Sequence, residues 1–129
     1  MGGFCMVSNG EILVNWEAPQ HVHLICGKTD LRKGIDGLAL VVQEVHGLDL
    51  ANDSLFLFCG TRADRFKALY WDGEGFILLY KRYENGSLRW PRYRDDAVDL
   101  DHDQLKHLLE GMNPLPIKRV RPALIGPIY

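Results

Sequence analysis

The sequence has no long apolar run, and this absence limits where the protein can act. No window approaches the roughly 20 consecutive apolar residues of a membrane-spanning helix. The amino terminus also lacks a basic stretch followed by the apolar segment of a secretory signal. We therefore expect a protein that has no membrane partner and works in the cytoplasm.

Cysteine is scarce and is not arranged to bind metal. The three cysteines, Cys5, Cys26 and Cys59, include no CxxC pair. This pattern indicates neither a disulfide framework nor a zinc knuckle. His21 and His23 alternate as they would on one face of a strand, but no third ligand stands at a recognisable spacing. We predict no metal site and no cofactor.

Motifs of nucleotide-binding and nucleophilic enzymes are also missing. Neither GxxxxGK[ST], GxGxxG nor GxSxG occurs. A metal-dependent nuclease could use Asp64 with Lys67, or the pair Asp72 and Glu74. Carboxylates within a glycine turn more often form the turn than bind metal. The sequence favours a protein that is not an enzyme.

What the sequence does contain is charge of both signs, separated along the chain. The formal net charge is −2, yet residues 61–94 hold 8 basic and 4 acidic residues. Residues 95–110 hold 6 acidic residues and 1 basic residue. The near-neutral average therefore does not exclude a nucleic-acid partner, because one region is distinctly basic.

The pattern of apolar residues predicts a single α+β domain with a largely antiparallel sheet of about five strands and two helices. Short apolar runs predict strands at residues 22–26 and 55–59, and helical spacing predicts a helix over residues 35–46. Asp101 and Gln104 have the spacing of a capping box before a second helix, which Gly111 ends. We assign residues 1–21 to an amino-terminal arm, 22–113 to the domain and 114–129 to a proline-rich basic tail.

Two turn signals, DGEG at residues 72–75 and NG at residues 85–86, predict consecutive hairpins. The first places Arg65 opposite Arg82, and the second places Arg82 opposite Arg89. Directly paired residues share a face of the sheet, so the three arginines would form one row. The same face would carry Lys67, Trp71, Phe76 and Tyr80.

Opposed arginines repel one another, so such a row requires a counter-charge. The opposite face, with Phe66, Tyr70, Ile77 and Leu79, is apolar and suited to packing against a helix. Phosphates of a nucleic acid could neutralise the row, with nearby aromatic rings contacting bases. The acidic side chains of residues 95–103 could do so instead.

A second basic stretch, Lys28, Arg32 and Lys33, comes just before the predicted first helix. Helix amino termini favour anions, so Arg32 and Lys33 are candidate phosphate contacts. The alternative is that Asp30 or Asp36 caps the helix while the cations are solvated.

Three segments in this order resemble the TnpB accessory protein, the product of the second open reading frame of bacterial insertion sequences of the IS-sixty-six family. The segments are GKTDLRKGIDGLALVVQEV, LFLFCGTRADRFKALYWDGEGFILLYKRYENGSLRWP and LDHDQLKHLLEGM. The resemblance covers about residues 22–122, whereas the first 20 residues depart from the family's usual short amino terminus.

The resemblance implies an accessory factor in DNA transposition whose catalytic transposase is a separate protein. It implies DNA at the insertion-sequence ends and the transposase as partners, and it supplies no catalytic residues. We therefore predict a nucleic-acid-binding surface on the basic and aromatic face. The alternative is a protein adaptor that docks the transposase through Trp71, Phe76 and Tyr80. The predicted nucleic-acid-binding residues are Arg65, Lys67, Arg82, Arg89, Trp71, Tyr80, Arg32 and Lys33.

Overall fold

In the computed structural model, which describes residues 13–115, one five-stranded sheet organises the chain. The strands lie side by side in the order β4-β3-β2-β1-β5. Strands β1 and β2 are parallel, and every other neighbouring pair is antiparallel. The strand bounds are His21–Ile25 (β1), Ser54–Phe58 (β2), Arg65–Trp71 (β3), Phe76–Arg82 (β4) and Ala97–Leu100 (β5).

One helix lies on each face of the sheet. Helix α1, Ile35–Leu40, continues directly into a π-helical turn, Val41–Val45. Its buried Leu38 and Val42 pack on a cluster that includes Phe56 of β2 and Leu69 of β3. These elements confirm the predicted α+β class, and the α1 segment ends one residue short of the predicted helix.

Helix α2, His102–Leu109, covers the other face and begins as its sequence predicts. The Asp101 carboxylate accepts a hydrogen bond from the Gln104 amide, and the Gln104 side chain accepts one from the Asp101 amide. This capping box satisfies two main-chain donors at the helix start. Leu105 and Leu108 then pack on a cluster that contains Phe66.

The first predicted hairpin is correct in turn and register. Arg65 pairs with Arg82, Lys67 with Tyr80, and Trp71 with Phe76. At the turn, Gly73 has a φ of +100°, a conformation that glycine adopts without steric cost. The Asp72 carboxylate accepts hydrogen bonds from the main-chain amides of residues 74 and 75, both at 2.9 Å.

The second predicted hairpin is wrong, because residues 83–96 contain no strand. Gly86 does turn the chain with a φ of +100°. The following segment, however, packs on the face of the sheet that α2 covers instead of pairing with β4. The Leu88 amide N–H donates a hydrogen bond to the Ala63 carbonyl. The Trp90 indole N–H donates one to the Ile25 carbonyl at 2.9 Å. Burial of Leu88 and Trp90 in the core therefore decides the path. The last strand is β5, at the opposite edge of the sheet.

The prediction that one sheet face is open is also wrong. Helix α1 covers the middle of the face that carries Arg65 and Lys67, where Leu69 is fully buried. The opposite face packs against α2 as expected, although Ile77 remains 40% exposed. Basic residues of β3 and β4 are accessible only at the end of the hairpin away from its turn.

Part of the predicted arm contacts the core. Trp16 packs against Phe66 with ring centroids 6.1 Å apart. Residues 1–12 of the arm and 116–129 of the predicted tail lie outside the described residues. Within residues 13–115, no helix has the length and apolar character needed to cross a bilayer.

Candidate nucleic-acid interface

Five cations gather where the loop before α1 meets the open end of the β3–β4 hairpin. We call this group, together with Tyr80, the basic cluster. Part of it, namely Arg32, Arg62, Arg65 and Tyr80, lines a shallow cavity of about 340 Å³. The five cations of the basic cluster are Arg32, Lys33, Arg62, Arg65 and Lys67.

Tyr80 is the centre of the basic cluster. The Arg65 guanidinium lies 3.4 Å from the Tyr80 hydroxyl, within hydrogen-bond range. The Lys67 ammonium lies 5.6 Å from the centroid of the Tyr80 ring, close enough for a cation–π interaction. The ring is nevertheless 56% exposed, so it remains available to a ligand.

A main-chain contact joins the two basic stretches that the sequence suggested separately. The Lys67 ammonium donates a hydrogen bond to the Lys33 carbonyl oxygen at 2.9 Å. The loop before α1 is thereby attached to the hairpin. Within residues 13–115, neither Lys33 nor Lys67 lies within 4.0 Å of a carboxylate oxygen.

Two aspartates neutralise part of the basic cluster. Asp64 accepts hydrogen bonds from Arg65 at 2.8 and 3.3 Å, and its second oxygen lies 3.8 Å from Arg62. The Arg65 hydrogen bond is the main reason that the pKa of Asp64 is lowered. The Arg32 hydrogen bond similarly lowers the pKa of Asp30 to about 2. Five cations and two carboxylates leave three positive charges in the group.

These local carboxylates correct the expectation that residues 95–103 could neutralise the arginine row. Strand β5 carries those acidic residues at the far edge of the sheet, beyond β1. Asp99 there contacts His23 of β1 with the nearest atoms 2.7 Å apart. Arg82, the cross-strand partner of Arg65, is instead bound to Glu84 at 3.0 Å.

Three predicted site residues are not part of the basic cluster: Arg82, which is paired with Glu84, and two residues that lie farther away. Arg89 follows the turn at Gly86 and lines a separate cleft with Ser87 and Tyr93, so the three-arginine row does not form. Trp71 lies on the predicted face but at the hairpin turn, where it packs edge-on against Phe76 with centroids 5.0 Å apart.

Arg62 is a member of the basic cluster that was not predicted from the sequence. Arg62 belongs to the short polar turn between the buried strand β2 and the hairpin, and Asp64 two residues later was the available signal. Arg92, which was also not predicted, connects that turn to the loop that follows β1. Its guanidinium donates to the Gly27 carbonyl at 3.1 Å and to the Thr61 carbonyl at 3.5 Å.

The carboxylates considered for a nuclease have other contacts. Asp64 binds Arg65, and Asp72 binds the main-chain amides of its own turn. Across the part of the chain that the structure describes, no three histidine, cysteine or acidic side chains are grouped as metal ligands.

Comparison with known proteins places this chain in a family. The family model described as IS66 Orf2 like protein matches residues 20–119. The uncharacterized protein y4hO of Sinorhizobium fredii (strain NBRC 101917 / NGR234) is 36% identical over 106 residues, which cover 81% of this chain and 92% of that protein. The uncharacterized protein y4jC of the same strain is 32% identical over 90 residues, 70% of this chain and 77% of that protein. No solved structure shows a significant match. The chain therefore belongs to the IS66 Orf2-like proteins, which are associated with insertion sequences.

Proposed function

We propose that this protein is a non-catalytic accessory factor in transposition, and that it binds DNA at the ends of its insertion sequence through the basic cluster. The transposase, a separate protein, is its second partner. The family supports a role in transposition, and the basic cluster supports DNA as the ligand.

The observation that carries this proposal is the position of Lys33 and Lys67. Both ammonium groups belong to the basic cluster, and neither has a carboxylate partner among the described residues. Lysines that neutralise phosphates release counterions from DNA, and this release provides most of the sequence-independent affinity. A phosphate backbone supplies the counter-charge that the basic cluster lacks.

Tyr80 adds a second kind of contact. Its exposed ring stands between Arg65 and Lys67, so a base that unstacks near the bound phosphates could stack on it. Such stacking contributes about 1–3 kcal/mol per base and tolerates any sequence. We therefore expect Tyr80→Ala to weaken the binding of single-stranded DNA more than the binding of duplex DNA.

The test is fluorescence anisotropy with labelled insertion-sequence end DNA over a series of salt concentrations. Lys67→Met keeps an unbranched apolar stem and removes the charge. We expect weaker binding for any DNA sequence and a salt slope smaller in magnitude by about 1. Lys106→Met, on α2 at the other face, is the matched control and should bind like the wild type.

Unchanged affinity in Lys67→Met would reject the basic cluster as the contact. A lower melting temperature in that variant would instead assign Lys67 a structural role through the Lys33 carbonyl. Thermal melting of all three proteins distinguishes these outcomes.

The adaptor alternative rests on a different observation, the half-buried pair of Trp71 and Phe76 at the hairpin turn. Arg65 and Trp71 are six positions apart on β3, about 20 Å along an extended strand. The two surfaces can therefore be tested independently. Purified transposase retained by wild type and Lys67→Met but lost with Trp71→Ala would favour the adaptor.

A further inference from the structure

Strand β4 forms one edge of the sheet, and its outer main-chain groups can be identified. The Asp72 amide donates to the Gly75 carbonyl, and the Tyr83 amide donates to the Asp64 carbonyl. Hydrogen-bonded pairs alternate along an antiparallel ladder, so residues 77, 79 and 81 are bonded to β3. The outer edge therefore presents the N–H and C=O groups of Phe76, Leu78, Tyr80 and Arg82.

No other strand in the described part of the chain pairs with this edge, although Leu13 and Val14 lie beside Ile77 and Leu79 on one face of it. Within residues 13–115, no group outside the sheet hydrogen-bonds to the β4 main chain. The seven-residue strand contains no proline, and Lys81 and Arg82 occur together at its carboxyl end. An edge of this kind is a ready template for a further strand.

The opposite edge of the sheet has features that discourage such pairing. Strand β5 has only four residues, and Asp99 lies within it. Asp95, Asp96 and Asp101 flank it closely. Short length and charge are the usual protection of a sheet edge. Strand β4 is longer, and its two cations lie together at its carboxyl end, so β4 is the edge that can better accept a partner.

We propose that β4 pairs antiparallel with β4 of a second copy of this chain, about a two-fold axis at Leu79. This register joins all four outward-facing residues in hydrogen-bonded pairs. Phe76 lies opposite the partner subunit's Arg82, and Leu78 opposite the partner subunit's Tyr80. No other symmetric register uses all four residues.

Charge selects this arrangement over parallel pairing. In the antiparallel register Lys81 lies opposite the partner subunit's Ile77, and the reciprocal contact forms by symmetry. In-register parallel pairing would instead oppose Lys81 with its own copy, and like charges directly opposed destabilise a sheet. Ile77, already 40% exposed, would be covered by the lysine stem.

If the proposed DNA-binding function holds, the dimer also extends the binding surface. A two-fold axis perpendicular to the sheet places the same face of both copies on one side. Three strand spacings then separate the two Lys67 residues across the sheet, and with the strand offset their Cα atoms are about 15 Å apart. The two basic clusters would form one continuous basic surface.

The test is sedimentation velocity of the full chain without DNA over a range of protein concentrations. We expect a reversible dimer. Ile77→Lys opposes two cations at both symmetric contacts and should raise the dimer Kd roughly tenfold. Ile77→Glu is the matched control, because it places an anion opposite Lys81, and it should preserve the dimer.

The double variant Ile77→Lys with Lys81→Glu should restore dimerisation, which identifies the 77–81 pairing directly. A monomer at every concentration would overturn the proposal. A dimer insensitive to Ile77→Lys would assign the contact to a different surface. Because no DNA is present, these outcomes are independent of the proposed DNA binding.

Discussion

The ammonium group of Lys67 on β3 donates a hydrogen bond to the main-chain carbonyl of Lys33, 2.9 Å away in the loop before α1. The two residues are 34 positions apart in the sequence, and their contact brings two basic stretches into one surface. A lysine that binds a neutral carbonyl keeps its full charge, and its remaining two donors can still reach a ligand. This contact is the basis for expecting one DNA-binding surface instead of two.

Replacing Trp71 should affect stability and leave DNA binding intact. Trp71→Ala removes the edge-to-face contact with Phe76, and aromatic pairs of this kind contribute about 0.5–1.5 kcal/mol beyond the area they bury. We expect urea unfolding to show a free energy of unfolding that is lower than that of the wild type by about 1–3 kcal/mol. Anisotropy of the folded variant should match the wild type, since Trp71 is remote from the basic cluster. A clear loss of DNA affinity would show that the binding surface extends to the turn.

Replacing Asp72 should lower the stability of the folded protein by an amount that depends on pH. Hydrogen bonds from the amides of Glu74 and Gly75 lower the pKa of Asp72 in the folded state. An aspartate in the unfolded chain has a pKa of about 3.9, so the Asp72 carboxylate stabilises the fold above that pH. The contribution is lost as pH falls through the lower pKa of the folded state.

We therefore expect Asp72→Ala to melt at a lower temperature than the wild type at pH 7. The difference should shrink below about pH 4. Melting curves between pH 2.5 and 7 measure this. A difference that is constant over the whole range would show that the charge has no part in the turn.

The second turn shows where prediction from the sequence succeeded and where it failed. Both glycine turns exist, and the register of Arg65 with Arg82 followed from the loop length alone. Turn residues fix how the chain reverses, but they do not decide whether the next segment pairs with the strand. Leu88 and Trp90 gained more from burial beneath the sheet, and their position depends on contacts with Ala63 and Ile25 that no local pattern reveals.

The same limit applies to the candidate site. Arg65, Lys67 and Tyr80 were predicted together because they lie on one hairpin with a local register. Arg32 and Lys33 were predicted separately, since their approach to the hairpin depends on how α1 crosses the sheet. The short spacing of Arg62 and Asp64 is the local signal in the sequence for the membership of Arg62 in the basic cluster.

Trp90 provides a test of the corrected path of residues 83–96. Its indole N–H donates to the buried Ile25 carbonyl, 65 positions away in the chain. Trp90→Phe removes this donor and leaves the carbonyl unsatisfied, which typically costs about 1–3 kcal/mol. Urea unfolding should show this loss. Arg89→Ala, at the exposed neighbouring position, is the control and should change stability by less than about 0.5 kcal/mol.

Asp64→Asn should strengthen DNA binding if phosphates are the ligand of the basic cluster. Asp64 is the carboxylate bound by Arg65, and it also lies near Arg62. Removing its charge frees these two guanidinium groups for phosphates and raises the net charge of the basic cluster from +3 to +4. The salt slope should become steeper, because more counterions are released on binding. Anisotropy over the same salt series measures both effects.

Glu84→Gln, which releases Arg82 on the same hairpin, is a matched control for added charge outside the basic cluster and should have a smaller effect. A weaker affinity in Asp64→Asn with an unchanged melting temperature would mean that Asp64 orients Arg65 for the ligand. An unchanged affinity would exclude Arg62 and Arg65 from the interface and favour the adaptor surface at Trp71.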